Sequence, residues 1–560
     1  MIPGETNVAA LLDAQVAARP YQRALVMPVR DGDRRSYAHM TFAQLGRRVD
    51  ALAHGFLGYG LRRGDRVRVY VKPGFDFPAV IFALFKIGCP PVFIDPGMGR
   101  EAALSCLSRM APRGLVAVPL LQAVRPLFSR AFQSVELSVT AGSGTGYWGG
   151  KTLDDLAELG ADRGPFEPVA LDPDDEAAIL FTSGSTGPAK GARYTHRVYA
   201  AQVKHIQEMY GIEAGEIDVP GLAVFGLFSL AMGMTVAWPE IDPSKPASLD
   251  PARLVELIED LGATNAFGGI AIWRPVLRWC HEHGRRLPSL RRLLSAGTAI
   301  PVWMHEGFRE VLAPGVQVFT PYGATEALPV ASIGTDVVLG ETAALTRIGR
   351  GTCVGTPAPG IRIAVIHTSD EPVSDWDEAL LVPPGEIGEI CVSGPVVTKQ
   401  YEGEAQATAA AKILDRRVDP PEVWHRMGDL GYQDASGRLW FCGRKAHRVE
   451  TAKGPLYANP VEEVAVLQAG VARAALLGLG ARGSQEPVIA LQLEPGVEAA
   501  EAAARVRTAL AALDLPTPIA RVLFHPAFPV DVRHNAKINN EVLNAWAEEQ
   551  MARQPSLGLR

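Results

Sequence analysis

The chain has 560 residues, of which 47% are hydrophobic and 21% are charged, a balance typical of globular proteins rather than of disordered or fibrous ones. Its 55 basic and 61 acidic residues give a net charge of −6, and no long run of lysine and arginine offers the positive surface that a dedicated nucleic-acid binder needs. The length is several times that of a typical domain of about 150 residues, so we expect one large domain with smaller ones attached.

Cysteine and histidine patterns disfavour the common structural metal sites. The six cysteines are scattered without a CxxC pair, and the twelve histidines include no HExxH motif. A zinc site and a disulfide framework are therefore disfavoured, and a reducing cytoplasm fits this cysteine usage best. Glu5 and Asp13 precede the first basic residue, Arg19, so the N-terminus lacks the basic head of a secretory signal and is predicted to form an ordinary first helix.

The first half of the chain alternates helical patterns with short β-rich runs. The predicted elements are a helix over 41–61, a strand over 67–71, a helix over 78–87, a strand over 91–94, and similar strands at 177–181 and 293–296. This βαβ rhythm predicts a mostly parallel sheet with helices on its faces. Ligands of such sheets bind beyond the carboxyl ends of the strands.

The segment 219–239, VPGLAVFGLFSLAMGMTVAWP, has no charged residue over about the length of a membrane span. Acidic residues flank it on both sides, no lysine or arginine anchors either end, and proline and glycine interrupt it. We therefore expect a buried segment that forms part of the core or the wall of an apolar ligand pocket.

The composition changes twice in the second half. From about residue 351, proline and glycine cluster between short β runs, which predicts a β-rich subdomain over about 351–443. Residues 444–560 are predicted to form a separate small α+β domain, attached to a large domain over 1–443. Its expected elements are helices over 460–467 and 499–513, strands over 474–479, 487–493 and 521–525, and a frayed tail over 556–560.

The sharpest local motif is the run 181–191, FTSGSTGPAKG, which follows a short apolar strand pattern. Its hydroxyls, its glycine-exposed N–H groups and one lysine are the components of a polyphosphate cradle. The spacing is not that of a Walker loop, because Gly191 directly follows Lys190. Composition alone leaves a flexible surface loop as an equal alternative, and the ordered alternation favours the cradle. The candidate residues are Thr182, Ser183, Gly184, Ser185, Thr186, Gly187 and Lys190.

This run closely resembles the phosphate loop of the AMP-forming acyl-adenylating superfamily, which includes acyl-CoA synthetases, firefly-type luciferases and the adenylation domains of peptide synthetases. Matching segments recur in the family's order over nearly the whole chain. The resemblance implies an α/β fold with a large N-terminal domain of mixed and parallel sheets flanked by helices, a small β-rich subdomain, and a small mobile α+β C-terminal domain. It also implies ATP and Mg²⁺ as cofactors.

Two further segments resemble the adenine side of the family's site. In YGATE at 322–326, an aromatic ring can stack on a purine, Thr325 can donate to a phosphate oxygen, and Glu326 can bind Mg²⁺. For this pentapeptide alone, a turn with an incidental acid is the preferred interpretation. SAGTAI at 295–300 resembles the segment that lines adenine and the acyl carbonyl. The resemblance assigns adenylate binding to Ser295, Gly297, Thr298, Ala299, Tyr322, Gly323 and Thr325, and metal binding to Glu326 and Thr186.

Three residues nearer the C-terminus complete the resemblance. Asp429 in WHRMGDLGY matches the family acid that accepts from the ribose hydroxyls, and Arg444 in FCGRK matches the second ribose contact. Lys537 in DVRHNAKINN resembles the mobile lysine that bridges the reacting carboxylate and the α-phosphate. Such a cation is needed because a carboxylate that attacks an anionic phosphate suffers like-charge repulsion. Taken singly, the acid is typical of a structural turn and the lysine of a solvated surface. The predicted catalytic residues are Lys537, Glu326, Thr186 and Lys190.

The chain departs from the family at several positions. Met427 stands where threonine is usual, and Ala446 occupies the hinge position at which most relatives carry aspartate or lysine. Alanine permits rotation of the small domain but weakens the expectation of a thioester-forming second step. Gly226, in the apolar run VFGLFSL, replaces a histidine that many fatty-acid-activating relatives have. Because each buried CH₂ contributes about 0.8 kcal/mol, this run predicts a long alkyl substrate. The expected pocket residues are Phe225, Gly226, Phe228 and Met232.

Within the superfamily, VFIDPGMG, GRKAHRVET and DVRHNAKINN look most like the β-lactone synthetases of bacterial long-chain olefin biosynthesis. The resemblance implies activation of a long-chain 2-alkyl-3-hydroxy fatty acid as acyl-AMP, after which the substrate's own hydroxyl attacks the acyl carbonyl and expels AMP. It also implies a β-lactone decarboxylase and a short-chain reductase as pathway partners. A fatty acyl-CoA synthetase or a fatty acyl-AMP ligase is the main alternative, and a non-catalytic adenylate-binding scaffold is a second one.

Two features of the sequence stay without a function. The lone GxGxxG run at 144–149 begins about a quarter of the way into the chain and is predicted to be a linker rather than a dinucleotide loop. The base that deprotonates the β-hydroxyl is not identified; His196 and His205 near the phosphate loop are candidates, although exposed positions on a helix are the preferred interpretation for both.

Overall fold

The computed structural model of the protein describes residues 6–32, 34–142, 150–182, 189–242, 245–530 and 538–553. Among these residues, no helix has the length and apolar character needed to cross a bilayer. The helices are α1 (Ala9–Ala18), α2 (Phe42–Tyr59), α3 (Asp76–Lys86), α4 (Arg100–Met110), α5 (Pro119–Val124), α6 (Leu153–Gly160), α7 (His196–Tyr210), α8 (Ala223–Ala231), α9 (Pro251–Leu261), α10 (Ile270–Glu282), α11 (Val302–Val311), α12 (Thr335–Val337), α13 (Ala343–Thr346), α14 (Ala405–Ala411), α15 (Ala458–Val466), α16 (Ala499–Ala511) and α17 (Asn540–Arg553).

The strands belong to two large sheets and two small ones. They are β1 (Arg23–Asp31), β2 (Arg34–Thr41), β3 (Val67–Tyr70), β4 (Pro91–Ile94), β5 (Gly114–Ala117), β6 (Leu137–Thr140), β7 (Lys151–Thr152), β8 (Glu176–Thr182), β9 (Lys190–Thr195), β10 (Ile217–Pro220), β11 (Thr235–Ala237), β12 (Asn265–Gly268), β13 (Arg292–Ser295), β14 (Gln317–Ala324), β15 (Ala327–Gly334), β16 (Thr352–Pro357), β17 (Arg362–Ile366), β18 (Gly388–Ser393), β19 (Lys412–Asp415), β20 (Glu422–Gln433), β21 (Leu439–Arg444), β22 (Val449–Thr451), β23 (Gly454–Leu456), β24 (Val471–Leu479), β25 (Glu486–Leu493) and β26 (Arg521–Phe524).

The first large sheet follows the order β7-β6-β5-β3-β4-β8-β9. All neighbours in it are parallel except β8 and β9, which form an antiparallel pair. The predicted βαβ rhythm is confirmed, because the expected strands at 67–71, 91–94 and 177–181 are β3, β4 and β8, and the expected helices are α2 and α3.

The second large sheet follows the order β17-β18-β20-β21-β16-β15-β14-β13-β12-β10-β11-β1-β2, and β19 pairs with β20. Its central strands from β14 to β1 are parallel, whereas the pairs on both flanks are antiparallel. The β-rich region predicted over 351–443 continues this sheet, since β15 pairs with β16. The mixed parallel and antiparallel sheets flanked by helices confirm the predicted fold class.

Local capping explains where two of the buried helices begin and end. Helix α2 starts at a capping box in which the Thr41 hydroxyl accepts from the Gln44 N–H and the Gln44 side chain accepts from the Thr41 N–H. It ends at Gly60, whose φ of 115° is unfavourable for residues with a Cβ. Helix α7 follows the N-cap Thr195 and ends at Gly211, which has a φ of 56°.

The uncharged segment 219–239 is a core segment, as predicted. It forms the end of β10, helix α8 and β11, and most of its residues are buried. Next to it, the buried carboxylate of Asp218 accepts hydrogen bonds of 2.6 Å each from the Ser229 hydroxyl and the Asn265 amide. Burial raises the pKa of Asp218 to about 6. This polar cluster connects α8 to β10 and β12.

The C-terminal region has its own apolar packing. Two hydrophobic clusters consist solely of residues from Val449 onward and are built on the β24-β25-β26 sheet with helices α15, α16 and α17. The elements predicted at 460–467, 474–479, 487–493, 499–513 and 521–525 are α15, β24, β25, α16 and β26, whereas α17 was not predicted. The division at residue 443 stays a prediction that this packing supports. The tail 556–560 and the glycine run 144–149 lie outside the described residues.

Candidate active site

A cavity of about 1760 Å³ is lined by residues of both large sheets. It is the place where the sequence motifs meet, although they are separated by up to about 250 positions along the chain. Ten of the predicted site residues line it: Lys190, Phe225, Phe228, Gly297, Thr298, Tyr322, Gly323, Thr325, Glu326 and Arg444. Ala446, at the expected hinge, also lines the cavity.

Tyr322, Asp429 and Arg444 form a hydrogen-bonded group at this cavity. The Tyr322 hydroxyl donates to Asp429 Oδ2 over 2.7 Å, and Arg444 Nη1 lies 3.0 Å from Asp429 Oδ1. The pairing follows from sheet register, because Asp429 of β20 lies directly opposite Arg444 of β21. Burial and the Asp429 carboxylate raise the pKa of Tyr322 well above 10, so its hydroxyl remains a donor. The carboxylate is thereby held at a fixed position, beside the ring predicted to stack on a purine.

Glu326 is held through both its side chain and its backbone. The Tyr401 hydroxyl donates to Glu326 Oε1 over 2.6 Å, and the N–H and hydroxyl of Thr398 donate to the Glu326 carbonyl over 2.8 and 3.2 Å. The Tyr194 hydroxyl donates to the carbonyl of Thr325 over 2.6 Å. These contacts orient the Thr325–Glu326 segment, which lines the cavity.

The predicted phosphate loop joins β8 to β9. Thr182 and Lys190 are opposite residues of this antiparallel pair, so the chain reverses between them. Lys190 Nζ lies 5.4 Å from the centre of the Tyr401 ring and therefore reaches the part of the cavity that Glu326 lines. The side chain of Thr182 and the residues Ser183, Gly184, Ser185, Thr186 and Gly187 lie outside the described part of the structure.

The segment 295–299 follows β13 at the carboxyl end of the second sheet. Gly297 has a φ of 98°, which favours glycine, and it lines the cavity together with Thr298. Ser295 and Ala299 are not among the lining residues. The Ser295 hydroxyl is fully buried and has no hydrogen-bond partner within the described ranges. Ser295 is the last residue of β13, two positions before Gly297.

The apolar side of the cavity is built by α8 and its neighbours. Phe225 stacks on Phe267 with ring centres 4.0 Å apart, and Phe228 lies 4.8 Å from Tyr199. Trp238 extends this aromatic wall.

Two of the predicted pocket residues are not part of this wall. Gly226 packs behind Trp238, where an added Cβ would lie 2.7 Å from the indole. Met232 follows the end of α8 and is buried in the hydrophobic core with 3% of its surface exposed. The prediction that these two residues line the pocket is therefore wrong, because one faces the indole and the other faces the core.

The two histidines proposed as bases do not line the cavity either. His196 Nδ1 accepts from the Val8 N–H over 3.2 Å, and both His196 and His205 are buried in the protein rather than exposed on a helix face. Burial lowers the pKa of His196 to about 4 and also lowers that of His205. Lys537 lies outside the described residues.

Sequence reasoning missed four residues that surround Glu326. Thr398 and Tyr401 contact it directly. Lys412 lies beside the Tyr401 ring, and the charge of Lys190 acts on His425. His425 stands only four positions before Asp429, so its proximity to a predicted site residue was a usable signal. Lys412 carried no such signal, since its position depends on the pairing of β19 with β20.

Comparisons with known proteins agree with this geometry. The model of the family described as AMP-binding enzyme matches residues 12–402. An olefin β-lactone synthetase from Stenotrophomonas maltophilia is 44% identical over 97% of this chain and 98% of its own length. One from Xanthomonas campestris pv. campestris is 42% identical with the same coverage. The solved structure of O-succinylbenzoate coenzyme A synthetase from Bacillus subtilis in complex with ATP and magnesium ion shares the fold, with a TM-score of 0.72, 20% identity, and coverage of 95% of this chain and 98% of that one.

Proposed function

The chain belongs to the AMP-binding enzyme family and is an AMP-forming ligase, and from that premise we propose that it converts a long-chain 2-alkyl-3-hydroxy fatty acid into a β-lactone. The acid is first activated as acyl-AMP with release of pyrophosphate. The adenylate then closes on its own hydroxyl with release of AMP. The observation that carries the proposal is a single cavity with a hydrogen-bonded carboxylate and a cation on one side and an aromatic wall on the other. The names of two relatives that match nearly the whole chain support the lactone as product.

ATP is the proposed nucleotide, and the Tyr322–Asp429–Arg444 group is its proposed ribose site. An ionised carboxylate only accepts hydrogen bonds, so Asp429 suits the two hydroxyl donors of a ribose. Arg444 holds the carboxylate in place through its ion pair with Asp429. Tyr322 contributes both its ring, for stacking on the purine, and its hydroxyl, which orients Asp429.

Glu326 and, by resemblance, Thr186 would hold Mg²⁺. The donor set fits this ion, because Mg²⁺ is commonly bound through one or two protein oxygens together with phosphates and water. Tyr401 donates to one Glu326 oxygen, and the structure shows no bond to the other from the residues that it describes. When bound, the ion neutralises charge on the phosphate oxygens.

The protein's own cations are proposed to lower the barrier of adenylation. The substrate carboxylate attacks the α-phosphorus, a new P–O bond forms, and the bond to pyrophosphate breaks. Lys190, held near Tyr401, stabilises the phosphate charge, and Lys537 is proposed to neutralise the attacking and α-phosphate oxygens. Such contacts accelerate the reaction to the extent that they are stronger in the transition state than in the ground state.

Ring closure needs no second substrate. The β-hydroxyl oxygen bonds to the acyl carbon, the bond between that carbon and the phosphate oxygen breaks, and AMP leaves with the electron pair while the hydroxyl proton is released. An intramolecular nucleophile reacts at a very high effective concentration, and the mixed anhydride drives formation of the strained ring. The aromatic wall around Phe225 and Phe228 is the proposed site of the alkyl part of the substrate.

The proposal is tested by incubating the purified protein with ATP, Mg²⁺ and a racemic long-chain 2-alkyl-3-hydroxy acid, with and without CoA, and identifying the products by mass spectrometry. AMP and a β-lactone formed in the absence of CoA are expected. A thioester that forms only with CoA would instead assign a fatty acyl-CoA synthetase, and an adenylate that accumulates without closing would assign a fatty acyl-AMP ligase. Nucleotide binding without pyrophosphate release would assign a non-catalytic scaffold.

We further propose that a β-lactone decarboxylase and a short-chain reductase act in the same pathway. A β-lactone is a strained product that a following enzyme has to consume, and a β-hydroxy acid is the product of a ketone reduction. Co-purification of the tagged protein from its host tests a physical association with either enzyme.

A further inference from the structure

Lys412 and His425 are neighbours on the Glu326 side of the cavity. They are opposite residues in the antiparallel pair of β19 and β20, so their side chains project from the same face of the sheet. Both are buried, with 8% and 3% of their surfaces exposed, and His425 lines the cavity. The sequence motifs assign no role to either residue, although His425 lies within WHRMGDLGY, and no step of the proposed mechanism uses them.

The buried ammonium group of Lys412 has hydrogen-bond partners but no counter-ion in contact. Its Nζ donates to the carbonyl and the hydroxyl of Thr398 over 2.5 and 3.4 Å. Among the described residues, no carboxylate lies within 4.0 Å of this nitrogen. Burial lowers the pKa of Lys412 to about 7, against a smaller opposing effect of Glu326. A buried cation without a paired anion lowers the stability of the protein unless a ligand supplies the missing negative charge.

Positive charge accumulates around the Tyr401 ring. Lys190 Nζ lies 5.4 Å from the ring centre and Lys412 Nζ lies 5.8 Å from it. Burial and the charge of Lys412, with a smaller contribution from Lys190, lower the pKa of His425 well below 6.5. The carboxylate of Glu326, bonded to the Tyr401 hydroxyl, opposes the effect of burial on Lys412 and so offsets part of this positive charge.

The tautomer of His425 is set by its backbone contact. Nδ1 lies 3.2 Å from the carbonyl of Ala411, which can only accept, so Nδ1 carries the proton. Nε2 is then the free ring atom of a residue that lines the cavity. An anion in the cavity favours protonation of Nε2, which converts it from an acceptor into a charged donor.

The cluster is displaced from the proposed ribose site in the direction of Glu326 and Lys190. His425 and Asp429 are both on β20 and four residues apart, with a bulge in the pairing with β18 between them. Asp429 contacts Tyr322, whereas His425 lies opposite Lys412, and the charge of Lys190 acts on its ring. A nucleotide whose ribose is at Asp429 and whose metal is at Glu326 would therefore direct its terminal phosphates toward His425.

We propose that Lys412 and His425, together with Lys190 and the Tyr401 ring, form a buried cationic wall that binds a diphosphate group. The ligand is the terminal diphosphate part of ATP before the reaction and free pyrophosphate after it. His425 contacts the diphosphate. Lys412 is a positioning residue, which lies beside the Tyr401 ring and acts on the diphosphate through its electrostatic field. This inference rests on the proposed adenylating function and adds to it residues that govern the affinity for the leaving group.

The test measures binding of Mg²⁺-pyrophosphate, Mg²⁺-ATP and AMP to the full-length protein by isothermal titration calorimetry. Lys412→Met and His425→Gln are expected to raise the dissociation constants of pyrophosphate and ATP at least tenfold and to leave that of AMP within twofold. Lys412→Arg, which keeps the charge, is expected to retain most of the pyrophosphate affinity. AMP binding serves as the check that each variant is folded.

Two matched controls separate charge at this wall from charge elsewhere. Lys399→Met removes a lysine that is 54% exposed and pairs with Asp174, and it is expected to change none of the three affinities by more than twofold. Asp429→Asn is expected to show the converse of the wall variants, with weaker AMP binding and unchanged pyrophosphate binding.

The possible outcomes are distinct. If Lys412→Met and His425→Gln bind pyrophosphate like the wild type, the proposed binding role is refuted and the two residues are structural. The same conclusion follows if they lose as much affinity for AMP as for pyrophosphate. Should Lys412→Met fail to fold, His425→Gln decides alone, with AMP binding as the check that this variant is folded. A wild-type protein that binds neither AMP nor ATP would overturn the proposed function itself.

Discussion

Gly226→Ala tests how helix α8 and Trp238 shape the apolar side of the cavity. An added Cβ would lie 2.7 Å from Cη2 and 3.1 Å from Cζ3 of Trp238. Carbon atoms in contact prefer a separation of about 3.5–4.0 Å, so the indole or the helix has to move by about 1 Å. The indole is rigid and only 2% exposed, and the free space next to it is the cavity that it lines.

We expect Gly226→Ala to destabilise the protein and to narrow the alkyl site. Overpacking of a buried site typically costs about 1–3 kcal/mol, which thermal unfolding by calorimetry detects as a lower Tm. Displacement of Trp238 into the cavity should reduce kcat/KM more for long-chain acids than for short ones. Measuring kcat/KM over a series of chain lengths with both proteins gives this comparison directly.

Two further variants make the result specific. Gly58→Ala places the same substitution in helix α2, where no atom lies within 4 Å of the added Cβ, and it is expected to be neutral or slightly stabilising. Combining Gly226→Ala with Trp238→Phe removes the ring atoms that clash and should recover part of the lost stability. The reasoning is refuted if Gly226→Ala unfolds at the wild-type temperature and keeps the wild-type chain-length profile.

Three further predictions concern charge and chain length. Burial raises the pKa of Asp218 from 3.8 to about 6, so the wild type should lose about 2 kcal/mol of unfolding free energy relative to Asp218→Asn as the pH rises from 4 to 6; urea unfolding at several pH values measures this, and parallel pH profiles of the two proteins would contradict it. Lys537→Ala should slow pyrophosphate release about 10²- to 10³-fold in a coupled assay while nucleotide binding is retained, and an unchanged rate would remove the role assigned to this lysine. Each additional methylene of the substrate should raise kcat/KM about fourfold until the cavity is full, as follows from about 0.8 kcal/mol per CH₂, whereas a flat profile would argue against an alkyl site at Phe225 and Phe228.

Short-range patterns account for the elements that were predicted correctly. Helix α2 lies between the cap at Thr41 and the left-handed Gly60, and strand β4 has the same bounds that the apolar run predicts. Caps, glycine conformations and hydrophobic periodicity act over a few residues, so they can be identified without the rest of the fold. Helix α17 was missed because the apolar side that packs in the core is defined by contacts with β24 rather than by a strong periodicity of its own.

The nucleotide side of the candidate site was predictable for a related reason. A ligand with fixed chemistry demands particular residue types in a fixed order, and Lys190, Tyr322, Glu326 and Arg444 line one cavity although they are distant in sequence. Each of these residues stands in a motif whose polar composition differs from that of the surrounding strands. The resemblance of these motifs, in their order along the chain, to those of a known family was therefore what assigned them to one site.

The surroundings of that site depended on long-range packing. Tyr401 and Lys412 reach the Glu326 side because β19 pairs with β20 and because Thr398 bonds to the backbone of Glu326, which is 72 positions away in sequence. Gly226 lies in the predicted apolar run, yet it faces Trp238 rather than the cavity, since the sheet on which α8 packs sets the orientation of that helix. The order of the motifs and their resemblance to a known family thus indicated which chemistry the chain carries. The pairing of distant strands specified which side chains surround the site and where the buried charge lies, because no local sequence pattern encodes those contacts.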